Sequence, residues 1–187
     1  MHVTVNTNNF PPLPCIRRRL SGLCAAAAFA VWLVLSATSG ASEIPECQPR
    51  AGLPNFFVKL EAGGPVRIAY LGGSITEAWG WRDLSRNWFA EQYPQAEVSQ
   101  IRATISGTGA EFGACRLQNH VLRHSPDLVF VEFAVNGAGA TDKRAIESVE
   151  GIVRQIRRHD PKTEVCMVFT VSKGMLDGLK QGRSPQV

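Results

Sequence analysis

The chain has 187 residues, of which 44% are hydrophobic, and this is enough for one globular domain with a sizeable core. Three of its 20 basic side chains and none of its 16 acidic ones lie in residues 1–41, so the remainder carries 17 basic and 16 acidic side chains. Because that remainder has no basic stripe with interleaved aromatic residues, we expect no nucleic-acid partner.

The amino terminus has the layout of a secretory signal peptide. Three arginines at residues 17–19 precede an apolar run over residues 23–35, and the small residues 39–41 form a cleavage site. The sequence therefore predicts a signal peptide over residues 1–41 and export to the periplasm or the extracellular space. The apolar run is short for a bilayer span, so an uncleaved anchor, which would be the chain's contact with a membrane, is the less favoured alternative.

A loop segment is expected over residues 42–64, and the first predicted strand, residues 66–71, runs into two glycines and a serine. The glycines allow a tight turn and leave room beside Ser74, and open α/β sheets bind ligands beyond the carboxyl ends of their strands. Ser74 is therefore a candidate nucleophile, although a strand-to-helix turn capped by Ser74 also fits. Since neither a G-x-G-x-x-G fingerprint nor a phosphate-loop lysine is present, a nucleotide-binding domain is disfavoured. Thr76 also replaces the last glycine of a G-x-S-x-G elbow.

The rest of the chain alternates helix-like and strand-like patterns. Further strands are predicted at residues 98–103, 128–133 and 165–171, and residues 175–180 could begin a last helix. Three amphipathic helices are predicted from the spacing of their apolar positions: Trp81, Leu84, Trp88 and Phe89, ending before Pro94; Ala110, Ala114, Leu117 and Val121; and Ile146, Val149, Ile152, Val153 and Ile156. This alternation indicates an α/β fold with a parallel sheet and helices on both faces.

Two more strand ends carry residues of the same kind as Ser74. Gly107, within Ser-Gly-Thr-Gly, follows the second strand, and Asn136 follows the third. The order of Ser74, Gly107 and Asn136, with a first block reading Gly-Gly-Ser-Ile-Thr, resembles the SGNH branch of the GDSL-type hydrolases. That family is named for a serine, a glycine, an asparagine and a histidine in four blocks. Residues 50–55 and 80–84 also look like sequence that flanks the first block.

The resemblance implies a three-layer αβα, flavodoxin-like doubly wound parallel sheet and an esterase that needs no metal or cofactor. It implies that Ser74 is the nucleophile and that the backbone amides of Ser74 and Gly107 form an oxyanion hole with the Asn136 side chain. Such donors stabilise the negative oxygen of the tetrahedral intermediate of ester cleavage by several kcal/mol.

The chain departs from this family pattern at two places. Asn136 is followed by Gly137 instead of an aspartate, and no Asp-x-x-His block occurs before Val187, so the general base His and its Asp are absent. We therefore expect the hydrolase-type domain over residues 65–187 to be truncated or to come from a fragmentary gene model, and to lack its C-terminal strand and helix.

Other titratable residues receive structural interpretations. His120 and His124 are expected on a solvated helix face and His159 at the negative end of a helix. Glu77 and Glu132 lie near the proposed site without being assigned as the base, and Glu132, inside an apolar strand, is expected to be buried and hydrogen-bonded.

The cysteines are informative mainly about the redox compartment of the protein. Cys15 and Cys24 lie in the predicted presequence, which leaves Cys47, Cys115 and Cys166. One disulfide and one free thiol is one interpretation, but we favour a buried strand position for Cys166 and a packing position on a helix for Cys115.

Two function classes remain from the sequence. The favoured one is an exported serine hydrolase that cleaves carboxylic acyl esters of small molecules or glycans, with O-acetyl groups of carbohydrates among its candidate substrates. The alternative is a non-catalytic glycan- or ligand-binding remnant that kept the cleft and lost the catalytic His and Asp.

Overall fold

The computed structural model describes residues 47–137, 141–171 and 173–182, so the predicted signal peptide over residues 1–41 lies outside the described residues. Within those ranges no helix has the length and apolar content needed to cross a bilayer. The strands are β1 (Gly64–Gly72), β2 (Ala96–Thr104), β3 (Leu128–Glu132) and β4 (Glu164–Met167), and the helices are α1 (Pro54–Ala62), α2 (Ser74–Glu77), α3 (Trp81–Gln92), α4 (Ala110–His120), α5 (Asp142–His159) and α6 (Lys173–Lys180).

The four strands form one parallel sheet in the order β2-β1-β3-β4. All three strand pairs are parallel, and each connection between successive strands carries at least one helix. The chain moves from β1 to β2 on one side and then returns past β1 to β3 on the other. The topological switch point therefore lies between β1 and β3, which is where sheets of this kind bind ligands.

The side chains of β1 alternate between two buried clusters, one on each face of the sheet. Val66, Ile68 and Tyr70 belong to one cluster, and Ala69 and Leu71 belong to the other. The first cluster also contains residues of α1, α3, β2 and β3: Phe56, Leu60, Phe89, Ala96 and Leu128. The second is completed mainly by α4, α5 and β3: Leu117, Val121, Leu122, Ile152, Ile156, Val129, Val131, Phe133 and Ala103. The predicted αβα layering, with helices on both faces of a parallel sheet, is confirmed.

Helix α1 occupies much of the segment that was expected to be a loop over residues 42–64. Pro54 begins the helix, a position at which its missing N–H removes no intrahelical hydrogen bond. Phe56 and Leu60, four residues apart, are both buried against the sheet. The helix ends at Gly63, whose φ of 77° lies in the left-handed region. With only two buried positions among its nine residues, the helix has too weak an apolar periodicity to be predicted from the sequence.

The predicted apolar face of α3 is only partly buried. Phe89 packs in the core, but Leu84 and Trp88 are exposed, and the buried residue in the first turn is Arg82. Helix α3 lies over β1 and β2, and β2 is an edge strand of the described sheet. The described residues form no further strand beyond that edge for the outer apolar residues of the helix to cover.

Strand β4 is shorter than the predicted strand over residues 165–171. Its described partner β3 ends at Glu132, and the last backbone hydrogen bond between the two segments runs from the Val168 amide to the Val131 carbonyl at 2.9 Å. Phe169 and Val171, which the apolar pattern included in the strand, are exposed. The strand therefore ends because its ladder partner ends.

The predictions for Cys166 and Cys115 have different outcomes. Cys166 lies on β4 beside one core cluster, so its predicted strand position is confirmed, but it is half-buried and not fully buried as predicted. Cys115 is exposed, because the inner face of α4 is taken by Ala114 and Leu117 and position 115 points about 100° away from position 114. The packing position predicted for Cys115 was wrong, and Cys47, Cys115 and Cys166 are all free thiols.

Candidate active site

Three loops leave the sheet at the same edge. Gly72, the last residue of β1, lies opposite the last residues of β2 and β3 in the strand register. Ser74 follows the end of β1 by two residues, Gly107 follows β2 by three, and Asn136 follows β3 by four. Neighbouring strands are about 4.8 Å apart, so the register brings all three loops to the carboxyl end of β1.

Gly73 is the point where these loops meet. A Cβ atom at Gly73 would lie 2.6 Å from Asn136 Oδ1, closer than real Cβ contacts, and 3.2 Å from the carbonyl oxygen of Thr108, which is tighter than most of them. The backbone of Gly73 therefore lies directly against the side chain of Asn136 and the main chain of Thr108. Ser74 and Gly107 are the immediate chain neighbours of this contact, so the structure brings the three predicted site residues into one neighbourhood.

Helix α2, which begins at Ser74, is anchored to β3 by a buried polar contact. Thr76 Oγ1 donates a hydrogen bond of 2.8 Å to Oε2 of Glu132, and Thr170 Oγ1 donates one of 3.1 Å to Oε1. A Cβ at Gly72 would overlap the Thr76 side chain, so glycine is required at position 72, next to the hydrogen bond between Thr76 and Glu132. Glu132 is fully buried, which confirms the expected hydrogen-bonded role for this carboxylate.

The loop that carries Gly107 is tied to α2 through Glu77. Ser106 donates to Glu77 Oε2 from its backbone N–H at 2.9 Å and also from its hydroxyl, while Arg102 lies 3.5 Å from Oε1. These contacts, chiefly the Ser106 hydroxyl, hold the pKa of Glu77 below its ordinary value. Gly107 itself has a φ of 73°, which favours glycine. Glu77 thus couples the Gly107 loop to the helix that presents Ser74.

Ser74 is exposed at the start of α2, and its hydroxyl makes no hydrogen bond with any residue that the structure describes. The first helical turn closes through Glu77 N–H to the Gly73 carbonyl and Ala78 N–H to the Ser74 carbonyl. As the first residue of a helix, Ser74 has a backbone N–H without an intrahelical acceptor. Ser74 therefore has both a hydroxyl without a partner among the described residues and a backbone N–H without an intrahelical acceptor.

Asn136 lies in a 3₁₀ segment, Ala134–Gly137, that directly follows β3. Its backbone N–H donates to the Phe133 carbonyl at 3.0 Å, which fixes the turn. Its Oδ1 atom is buried and has no hydrogen-bond partner among the described residues. An unpartnered buried acceptor costs about 1–3 kcal/mol, and such atoms in native proteins call for a structural or functional explanation.

Arg116 contributes to this edge of the sheet and was not found by sequence analysis. The residue is 5% exposed, and its guanidinium group donates to the Ala103 carbonyl at 2.8 Å and the Gly72 carbonyl at 3.3 Å. Burial lowers the pKa of the group. No carboxylate pairs with it in the described part of the chain, so it leaves uncompensated positive charge near the ends of β1 and β2. The available signal was an arginine on the packing side of α4, next to Leu117.

The described histidines lie elsewhere. His120, His124 and His159 are all exposed, and none hydrogen-bonds to Ser74. Nδ1 of His120 lies 3.4 Å from Arg116 Nη1, and His124 follows the end of α4, so the predicted shared helix face for these two residues does not form. His159 ends α5 as expected. Among the residues with described positions, no group of three or more His, Cys, Asp or Glu side chains is arranged to hold a metal ion.

Comparison with known proteins identifies a family and related structures. The model of the GDSL-like lipase/acylhydrolase family matches residues 70–186. Two crystal structures of a two-domain esterase active on acetylated mannans, one of them co-crystallised with mannopentaose, share 32% and 33% sequence identity with this chain at TM-scores of 0.59 and 0.57. Each covers 64% of this chain, but the chain spans only 34% and 33% of the esterase chains.

A more distant structure shows the fold alone. A protein from Parabacteroides merdae, described as GDSL-like lipase, shares 16% identity at a TM-score of 0.50, covering 56% of this chain and 59% of that one. No curated protein matches the sequence.

Proposed function

We propose that this chain, which belongs to the GDSL-like lipase/acylhydrolase family, supplies the nucleophile and oxyanion hole of an exported serine hydrolase that cleaves carboxylic acyl esters. In this proposal Ser74 attacks the ester carbonyl. The backbone amides of Ser74 and Gly107 and the side-chain amide of Asn136 bind the oxyanion. The observation that carries the proposal is the contact of Gly73 with Asn136 and Thr108, which gathers the three loops at one edge of the sheet.

The chemistry follows from the groups that these loops present. Attack on an ester carbonyl places negative charge on its oxygen, and preorganised N–H donors stabilise that charge. The amide of Ser74 is free because it begins a helix, and Gly107 has no side chain to keep a substrate from its amide. The uncompensated guanidinium of Arg116 adds a favourable potential for an anion at the same strand ends.

Carbohydrate esters, O-acetyl groups among them, are the proposed substrates. Support comes from the esterase that acts on acetylated mannans, which shares about a third of its residues with this chain over the aligned part. Export is proposed from the arginines, apolar run and small residues within residues 1–41, and it would place the protein where such polymers occur.

A serine hydroxyl needs a neighbouring base to act as a nucleophile at neutral pH, and none of the three described histidines contacts Ser74. The proposal therefore requires an Asp-x-x-His block from the reading frame downstream of Val187. Sequencing that frame tests this requirement. If the block is absent, the second candidate, a binding protein that retains the cleft without catalysis, becomes the better description.

Chemical labelling tests the nucleophile. The protein to use is the one that also includes the residues encoded downstream of Val187. A fluorophosphonate probe should label Ser74 in it. Labelling should be lost in Ser74→Ala and retained in Ser148→Ala, a matched control on α5.

Asn136→Ala should lower turnover of a small acetyl ester by about a hundredfold, as is typical for loss of one oxyanion donor. Labelling that persists in Ser74→Ala would assign the nucleophile elsewhere, and unchanged turnover would remove Asn136 from the mechanism.

A further inference from the structure

Three exposed apolar side chains lie close in the sequence to the candidate site residues. Trp79 is 80% exposed, Phe112 is 50% exposed and Val135 is 52% exposed. Each lies within five positions of one of the three predicted site residues: Trp79 follows α2, Phe112 is in the first turn of α4, and Val135 is in the 3₁₀ segment after β3. Exposed apolar side chains are thus present on each of the three segments that carry the candidate site.

Trp79 is the most exposed of them and lies close to Ser74. The Ala78 amide donates to the Ser74 carbonyl at 2.9 Å, which closes one helical turn, and Trp79 is the next residue. One helical turn and one further peptide unit place its Cα within about 10 Å of the Ser74 Cα. Tryptophan is highly buried on average, yet the Trp79 ring contacts no other aromatic ring that the structure describes. Packing of the described fold gives no reason for an indole here.

Glu77, two residues before Trp79 in the sequence, and its ion-pair partner Arg102 indicate the kind of ligand. The Glu77 side chain is 36% exposed and that of Arg102 is 54% exposed, and both belong to the contact that ties the Gly107 loop to α2. An acyl chain would be bound best by a continuous apolar groove. A sugar ring instead combines a flat apolar face, which stacks on an aromatic ring, with hydroxyl groups that hydrogen-bond to carboxylate and guanidinium groups.

We propose that Trp79 is a stacking platform for a sugar ring of the glycan that carries the ester, with Glu77 and Arg102 binding the hydroxyl groups of that sugar. This inference rests on the proposed function, because it assigns the alcohol part of the same substrate. It makes Trp79 a specificity-determining residue that acts on the sugar and not on the acyl carbonyl.

The test measures binding and does not depend on hydrolysis. Ser74→Ala protein, which cannot use the proposed nucleophile, is run in native gels containing acetylated mannan or acetylated xylan. The variants are Trp79→Ala, Trp79→Phe and the matched control Trp88→Ala, all made in the Ser74→Ala background. Trp88 is 50% exposed but lies on α3, roughly 10 Å further along that helix than its first residue.

We expect at least one polysaccharide to retard the Ser74→Ala protein. Trp79→Ala should weaken the apparent affinity by about tenfold, Trp79→Phe should restore part of it, and Trp88→Ala should leave it unchanged. The proposal is overturned if neither polysaccharide retards the parent, or if Trp79→Ala and Trp88→Ala behave alike. It is also overturned if Trp79 is needed only for binding to phosphatidylcholine vesicles. The binding result and the labelling result can also differ. If the variants bind the polysaccharide as expected but Ser74 is not labelled in the protein that includes the residues encoded downstream of Val187, the proposed hydrolase function is contradicted and the sugar-binding role of Trp79 is retained.

Discussion

Two glycines of the candidate site, Gly72 before Ser74 and Gly107 in the loop after β2, are required for different reasons. Gly72 is required for space, because a side chain there would meet Thr76 and the carbonyl oxygen of Glu132, the latter at 2.8 Å. Gly107 is required for conformation, because its φ of 73° is unfavourable for other residues, whereas a Cβ there would meet nothing within 4 Å. A substitution at Gly72 should therefore cause a steric clash, whereas a substitution at Gly107 should strain the backbone.

A matched pair of glycine substitutions tests the steric role of Gly72. Gly72→Ala should lower the free energy of unfolding by about 1–3 kcal/mol, because the added methyl group overpacks the contact with Thr76. Gly151→Ala, on α5 with open space around the added Cβ, should raise it by up to about 1 kcal/mol. Urea unfolding of both variants measures the difference. Equal effects would mean that the packing around Gly72 is not as described.

Two contacts between elements hold the edge of the sheet together. Arg116 on α4 bridges the carbonyl groups at the ends of β1 and β2, and Glu77 on α2 holds the Ser106 backbone of the following loop. The Arg116 contact joins the end of β1, just before Ser74, to the end of β2. The Glu77 contact joins α2, which begins at Ser74, to the residue just before Gly107. The relative placement of these two residues thus depends on long-range hydrogen bonds as well as on the strand register.

Arg116 should act as a structural clamp whose geometry lysine cannot reproduce. Arg116→Met should lower the free energy of unfolding by about 1.5–3 kcal/mol, the range for hydrogen bonds to charged groups. Arg116→Lys should recover part of this, because an ammonium group lacks the planar fork. Hydrogen exchange of the Ile105 amide, which donates to the Gly72 carbonyl at 3.2 Å, should quicken in both variants. Arg158→Met, at an exposed position on α5, is the control, and the same loss there would contradict the clamp.

The tether through Glu77 should depend on pH. Because the pKa of Glu77 is lowered in the folded protein, its contribution is present above the ordinary glutamate value of 4.5 and is lost as the pH falls through the lowered pKa. The Ser106 amide resonance in NMR spectra should therefore titrate with an apparent pKa below 4.5. Glu77→Gln should abolish this titration, and Glu97→Gln, on the exposed edge of β2, should not. Titration of that amide at or above 4.5 would show that the tether is absent.

For the molecule as a whole, the fold was predictable because its signals are local. Apolar runs and helical spacings identified the four strands and the helices α3, α4 and α5, and their alternation indicated a parallel sheet covered on both faces. Helix α1 was missed because only Phe56 and Leu60 mark its buried side. The exposure of Leu84 and Trp88 could not be predicted either, because it depends on where the sheet ends beneath α3.

The candidate site was predictable as a set of residues but not as a geometry. Ser74, Gly107 and Asn136 were identified because each follows a strand, and the carboxyl ends of parallel strands share an edge. Which residues face one another depends on the register between strands, and local patterns do not contain this information. Arg116 was missed for a related reason, since its acceptors are carbonyl groups of other strands, which carry no signature in the sequence.

The central claim is that the loops bearing Ser74, Gly107 and Asn136 meet at Gly73, and a nuclear Overhauser measurement on the 187-residue protein tests it most directly. With asparagine labelled by nitrogen-15, the Asn136 side-chain amide protons should give a cross-peak to the α protons of Gly73, because Oδ1 and Cγ of that amide group lie 2.6 Å and 3.1 Å from the position that a Cβ on Gly73 would take. If the α protons of Gly73 give cross-peaks only to their own chain neighbours, the loops do not converge and the claim is contradicted.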